Sequence, residues 1–471
     1  MTHWPNMADA QFIEQQEKYE YIQYVIPDVN SIPRGKIMKG KFKEKAARDG
    51  LEIGTVICLV GPNSEIPLSV CDILGKHMPN EEMRPCLDTL TPWPWVGKEG
   101  RRVGNVLCDL CMHDGTSDLT SPRQLMKAQL DALREKHGLV FKSAFEYEFG
   151  VYKEGSMETL GGDDVWCWDV RIWGEHHDLF CDLTDLLEVM GVEVSSLMPE
   201  FTPGQWEITT EPQEGVRGGD VAFYVKNAVK GFFKTRGYHA TFMSKPSAET
   251  FGAGLHLNHS LWTVGGASAM LDQGQDDRMS ESAKHWLAGI LHHAPALTAL
   301  CCPTLNCYRR LFNLGAPGRV TWGLDDRNAM VRVHTARDNV FLENRLPSGA
   351  CSPYLAIAAT VAAGLDGLER KLQCPPPNME MQKAGELSRT TENAGESPNA
   401  REQPGEVAKT LAEALDALEK DGQLRGMLGE RFVDCYVKAK REYEVRRYEN
   451  AELHTEEKQL EFERNMYMKN L

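Results

Sequence analysis

The sequence contains no GxxxxGK[ST] phosphate loop, so any nucleotide phosphate it handles is not held by a P-loop. It has no apolar run of membrane-spanning length. The longest helical candidate, YLAIAATVAAGL from Tyr354, is too short. The first residues, MTHWPNMADAQFIEQ, lack a basic segment followed by an apolar core, and a secretory signal is not expected. A compact Lys/Arg cluster is also missing, and 68 acids against 52 bases leave a formal charge of −16, which repels polyanions. Neither nucleic acid nor membrane is an expected partner. The thirteen cysteines are odd in number and form no disulfide-like framework, which fits a reducing, cytoplasmic location. The single CxxC, Cys108 and Cys111, has no second ligand pair and sits in the strand-like VLCDLCMHD, so burial is expected rather than zinc or redox chemistry.

What is present fits a folded, soluble chain: 42% hydrophobic and 8% aromatic residues argue against general disorder, and 471 residues allow two domains. Residues 18 to 110 read as short strands and turns, such as YEYIQYVIPDV, TVICLV and NVLCDL. From Ser121 the texture changes to helical spacing in SPRQLMKAQLDALREKHG, with Ser-Pro as a start signal. A boundary near residues 111 to 120 follows. Beyond it strands alternate with helices, including SESAKHWLAGILHHAPALTAL and SPYLAIAATVAAGLDGLERKL, where Ser352 reads as an N-cap and Pro353 as the first helical residue. Residues 374 to 406 are polar, proline-bearing and aperiodic, and read as an exposed loop; two or three charged helices are expected after it.

Five stretches share one division of residues between two faces. In AFEYEF, Glu146 and Glu148 alternate with Phe145, Tyr147 and Phe149, the period-two pattern of a strand. PGQWEIT sets Gln205 and Glu207 opposite Trp206 and Ile208. GAGLHLNHSLW sets His256, Asn258 and Ser260 opposite Leu255, Leu257 and Leu261. FLENRLP and MVRVH bring out Glu343 with Arg345, and Arg332. Water-facing strands usually also carry Lys, Thr and Ser, whereas these carry Glu, Gln, His, Asn and Arg.

If the polar faces converge, Glu146, Glu148, Glu200, Glu207 and Glu343 crowd together. Two charges about 4 Å apart at an effective dielectric near 20 repel by ~4 kcal/mol, so such a cluster must protonate or bind cations. Carboxylates with one histidine suit Mg²⁺ or Mn²⁺ better than zinc. Arg310, Arg327, Arg332 and Arg345 suit phosphate and carboxylate groups. Metals with arginines point to phosphoryl transfer from a nucleotide.

The segments PDVNSIPRGK, PCLDTLTPWPW, LTSPR, AFEYEF, PEFTPGQWEI, GAGLHLNHSLW, NCYRRL, APGRVTWGLDDRNAMVRV and ENRLPSGACSPYLAIAATVAAGLDGLERKL occur in this order between about residues 18 and 373. Together they resemble the glutamine synthetase family, class I type. The resemblance implies an α+β protein: an N-terminal extension (1–17), a β-grasp domain (18–112) and a catalytic domain (120–471) built on a curved antiparallel sheet flanked by helices. It also implies a dodecamer of two hexameric rings. One metal is implied on Glu146, His256 and Glu343, and a second on Glu148, Glu200 and Glu207. Arg327, Arg345 and Glu343 match catalytic positions. Ser260, Trp262, Arg327 and Arg332 match the nucleotide site, and Gly252, Arg310 and Arg345 match the substrate site. The implied chemistry is ATP-dependent phosphorylation of a glutamate-type carboxylate followed by attack of an amine, with Mg²⁺ or Mn²⁺ as the metal.

The departures from the family pattern are selective. The glutamate-binding Asn is here Phe251, and the flap acid expected before Ala316-Pro317 is Gly315. The loop that normally supplies an ammonium-binding Asp reads CLVGPNSEIPLS without one, Cys86 follows Pro85 in place of Asp, and the second histidine of an HxH pair is Asn258. Ammonium is therefore not the expected amine. AKHWLAGILHHAPALTAL and the late LAEALDALEKDGQLRGMLGERF are especially similar to the lengsin branch, regarded as non-catalytic. That opens a second expectation, a scaffold or chaperone that partners intermediate-filament proteins.

Overall fold

The computed structural model describes residues 15–96, 101–162, 167–313, 315–336, 338–378 and 405–471. Residues 1–14 of the expected N-terminal extension and most of the 374–406 loop lie outside them.

The first sheet is built from β1 (Tyr21–Pro27), β2 (Pro33–Lys39), β3 (Leu51–Gly54), β4 (Asn80–Pro85), β5 (Thr91–Pro92) and β6 (Val103–Cys111). Its order is β2-β1-β6-β4-β3, with β5 also on β6; β1 and β6 run parallel and the other pairs antiparallel. A helix, Lys41–Asp49, lies between β2 and β3, in a region that the sequence pattern marks mostly as strands and turns. Cys108 and Cys111 are buried in β6, and none of the thirteen cysteines is in a disulfide.

The second sheet comprises β7 (Leu139–Lys153), β8 (Val194–Pro199), β9 (Gln205–Thr210), β10 (Gln213–Glu214), β11 (Tyr238–Thr241), β12 (Leu255–Thr263), β13 (Trp322–Leu324), β14 (Val331–Ala336) and β15 (Asn339–Asn344). Its order is β13-β14-β15-β12-β7-β9-β8, with β10 and β11 on β7. All pairs are antiparallel except β13 with β14.

The aromatic side of the AFEYEF alternation forms the core. Phe145, Tyr147 and Phe149 are fully buried, and the Phe149 ring lies 6.2 Å from Phe233 on the helix Val216–Lys234. On β9, Trp206 meets Phe180 of the helix Arg171–Val189 at 3.9 Å. The helix Pro353–Arg370 begins after Ser352, and the helix Pro122–His137 after Ser121, as the Ser-Pro signals indicate. In neither does the serine hydroxyl make the cap hydrogen bond; Ser280 does so elsewhere, accepting from the Ala283 amide at 3.1 Å.

Helix Pro353–Arg370 is buried on every side from Pro353 to Gly367, and that stretch is apolar apart from Thr360 and Asp366. Added Cβ atoms show how close its neighbour comes: one on Gly289 would lie 2.0 Å from the Ala363 carbonyl, and one on Gly364 2.3 Å from Trp286. The long apolar stretch is thus a core helix, and no helix among the described residues is long and apolar enough to cross a membrane. The segment Ser280–Leu300, expected as one helix, is two, Glu281–His292 and Ala294–Cys301, because Pro295 cannot continue the hydrogen-bond ladder of the first. After the loop there are more helices than expected: Leu411–Lys420, Gly422–Leu428, Glu430–Lys440 leading into Arg446–Glu449, and Glu456–Tyr467.

Candidate active site

Strand register brings the polar faces together. Arg332 on β14 stands opposite Glu343 on β15, and Glu343 opposite Asn258 on β12. His256 on β12 faces Glu146 on β7, and Glu148 on β7 faces Glu207 on β9. Opposed residues in a sheet have Cβ atoms only about 5 Å apart, so this register alone forces the groups into contact.

His256 is the hub. Its Nδ1 lies 3.0 Å from Glu146 Oε2 and 3.5 Å from Glu343 Oε1, while its Nε2 lies 3.7 Å from Glu148 Oε1. Arg310 Nη2 approaches Nε2 at 3.3 Å. Glu146, His256 and Glu343 each offer a donor atom within 4.8 Å of the other two, a spacing that could hold a metal ion. Glu148, Glu200 and Glu207 neighbour this set without forming, among the described residues, an equally tight triple.

The charges are unevenly matched. Glu343, 1% exposed, accepts from Arg332 at 3.2 Å, from His334 at 2.8 Å and from Arg345. Burial alone would raise its pKa, but the His334 hydrogen bond and the charges of His256, Arg345 and Arg332 hold it well below the usual carboxylate range. Burial would raise Glu146 too, but the hydrogen bond and charge of His256 bring it below its ordinary value; its other donor, and those of Glu148 and Glu200, are neutral. Glu146 accepts from Asn258 at 2.8 Å; Glu148 accepts from Gln205 at 3.2 Å and from the Gly254 amide at 2.9 Å; Glu200 accepts from Trp168 at 3.3 Å and from the Phe201 amide at 3.2 Å. Burial, then the negative charges of Glu146, Glu148, Glu200 and Glu343, push the Glu207 carboxyl up to about 10. Burial and the charge of Glu148 also raise Glu200. Burial and mutual repulsion are thus least offset at Glu200 and Glu207, and a hard divalent cation held by their oxygens and those of Glu148 would offset both.

Arg310 is buried, and donates to the Leu346 and Arg345 carbonyls at 3.3 and 2.9 Å. Gly252 lies against its stem: a Cβ there would be 2.5 Å from Arg310 Cγ. Arg345 donates its second amino group to the Gly315 carbonyl at 3.0 Å. Two of the expected groups stand apart from the carboxylates. Ser260 and Trp262 lie further along β12, joined by a 2.9 Å bond from the indole to the hydroxyl, with the Lys142 ammonium 4.5 Å above the Trp262 ring. Arg327 is exposed in the turn between β13 and β14, and its charge helps keep the Asp325 carboxyl low, after the hydrogen bond from Arg332.

His334 was not singled out in the sequence, although it lies two residues from Arg332 on the same strand face. Trp168 was missed because it sits in a segment without periodicity. His259, by contrast, points into the core. It stacks 5.2 Å from Phe141 and accepts from Trp286 at 3.1 Å, and burial takes its pKa down to about 4.

The family described as glutamine synthetase, catalytic domain, matches residues 119–462. The chain belongs to the glutamine synthetase family. Glutamine synthetase of Methanocaldococcus jannaschii is 30% identical over 448 residues, which cover 93% of this chain and 95% of that one. Lengsin of Mus musculus is 29% identical over 460 residues, covering 95% of this chain and 76% of lengsin. Among solved structures, the GmaS/ADP complex superposes with a TM-score of 0.81 at 26% identity, covering 98% of this chain and 99% of that one. The second sheet and its helices are thus a glutamine synthetase catalytic fold, preceded by a sheet-rich N-terminal region.

Proposed function

We propose that the protein is an ATP-dependent ligase that joins a glutamate-type carboxylate to an amine, with Mg²⁺ or Mn²⁺ as its metal. The observation that carries this reading is the convergence of Glu146, Glu148, Glu207, His256 and Glu343 with Arg310, Arg332 and Arg345 on one sheet face. Membership of the glutamine synthetase family and likeness to a GmaS structure solved with ADP support it.

In this reading Glu146, His256 and Glu343 hold one metal and Glu148, Glu200 and Glu207 the other. The bound metals would supply charge neutralisation between the phosphates and the carboxylate cluster. Arg332 and Arg327 take nucleotide phosphates, and Ser260 and Trp262 take the rest of the nucleotide. Arg310, Gly252 and Arg345 position the acid, so that its side-chain oxygen attacks the γ-phosphorus and ADP leaves. The amine nitrogen then attacks the acyl carbon, phosphate departs and the nitrogen loses a proton. The residues around the amine differ from the family pattern: Phe251 is 42% exposed with its ring 5.5 Å from Phe201, and Gly315 offers only its backbone. An organic amine replaces ammonium in this account. Residues 18–112 form the β-grasp domain, residues 120–471 the catalytic domain, and the assembly is a cytosolic dodecamer.

A second reading rests on the same departures and on the likeness to lengsin: a non-catalytic scaffold for intermediate-filament proteins. Calorimetric titration with ADP and Mg²⁺ separates the two. The ligase reading expects saturable binding that Glu343→Ala weakens at least tenfold. Absence of binding in the parent supports the scaffold.

A further inference from the structure

The helix Val216–Lys234 places two lysines one turn apart, Lys226, which is buried, and Lys230, which is half-buried. Buried lysines usually find a carboxylate. Among the described residues these two find backbone: Lys226 donates to the Gly349 and Cys351 carbonyls at 2.8 Å each, and Lys230 to the Asn470 carbonyl at 3.2 Å. An ammonium has three donors. Beside Lys230 lies a cavity of about 450 Å³, lined also by Asn227, Lys234, His239, Lys469 and Asn470.

Three lysines line this cavity, and the carboxylate that meets them is Glu154, paired with Lys234 at 2.5 Å. Three lysines gathered at one place on a chain of net charge −16 run against its overall charge. Burial lowers the Lys230 pKa to about 8, with the charge of Asp28 opposing, and burial followed by the Lys230 charge lowers Lys226 to about 7. These groups therefore stand to gain from an anion.

We propose that this cavity binds a phosphorylated small molecule, at a site separate from the carboxylate cluster. Its volume suits a small metabolite, and Lys230, Lys234 and Lys469 supply charge-assisted donors to a multivalent oxyanion. The two sites share a strand. β11, which carries His239, pairs with the far end of β7, and Glu154 follows that strand, six residues and about 20 Å from Glu148.

The test uses inorganic pyrophosphate as the probe, titrated calorimetrically into the full chain at low ionic strength with EDTA present. Lys234 and Lys469 are exposed, so the Lys234→Gln/Lys469→Gln variant is expected to keep the parent's thermal midpoint. The expected result is one saturable site per chain, weakened at least tenfold in that variant and unchanged in Arg332→Gln. Binding should also weaken from pH 7 to pH 9.5 as Lys230 loses its proton; the other groups facing it are Lys226 and Lys234 on its helix, His239 on β11, Lys469, Glu154 and Asp28. The proposal is overturned if no saturable binding occurs, if the double variant binds like the parent, or if Arg332→Gln weakens binding as much, which would put the anion at the carboxylate cluster.

Discussion

His256 Nδ1 and Glu146 Oε2 lie 3.0 Å apart across the β7–β12 pair, and on the other side of β7 the β7–β9 register sets Glu148 against Glu207. Backbone pairing, rather than flexible loops, thus fixes the spacing of the candidate metal ligands. Such a site holds its geometry before any ligand arrives.

Glu343 is the electrostatic anchor of the arginine side. Glu343→Ala leaves Arg332, His334 and Arg345 without their common acceptor in a buried setting. Urea unfolding should show a loss of about 3 kcal/mol, the cost typical of breaking a buried ion pair from one side. An unchanged midpoint would mean that the three cations find other partners.

Glu207 should behave in the opposite sense. An unfolded glutamate loses its proton near pH 4.3, whereas folded Glu207 keeps it until about pH 10, so across that range the unfolded state binds fewer protons and stability falls as pH rises. In EDTA, Glu207→Gln is expected to melt higher than the parent at pH 8, by more than it does at pH 5. Added Mn²⁺ should reverse the order, because only the parent keeps the ligand.

His293 gives a pH effect away from the site. Burial would lower its pKa, but hydrogen bonds and charges from Asp421 at 2.6 Å and Asp366 at 3.0 Å raise it. A raised histidine contributes stability that is complete below its unfolded value near 6.5 and is lost as pH climbs through the folded value. Asp421→Asn retains an oxygen for the Leu424 amide, so it should cost clearly more stability at pH 6 than at pH 9, read from denaturant midpoints.

Gly252 is predicted to act through Arg310. The Cβ of Gly252→Ala would fall 2.5 Å from Arg310 Cγ, displacing the guanidinium from the Arg345 carbonyl and from His256. The KM for the acid should rise about tenfold, an effect of ~1.4 kcal/mol, with nucleotide affinity unchanged. A change in nucleotide affinity alone would place Arg310 in another role.

The strands of the site were legible in the sequence because period-two alternation survives in single residues: Glu146 with Glu148, His256 with Asn258, Gln205 with Glu207. Their convergence was not, since no local pattern reports that β12 lies between β7 and β15. His334 carried the same signal as Arg332, two residues along the same strand face, and was not singled out. Trp168 had no periodic neighbours to mark it. The helix Lys41–Asp49 was hidden by its low apolar content, and the break at Pro295 by the continuous apolar spacing on either side.

The most direct test of the ligase account is phosphate release from ATP with Mg²⁺ and L-glutamate, measured across ammonium, hydroxylamine and a panel of organic amines, with Glu343→Ala as the control. The account predicts release that depends on an organic amine, is weak with ammonium and is abolished in Glu343→Ala. Amine-independent silence in the parent, together with no binding of ADP and Mg²⁺, would contradict it.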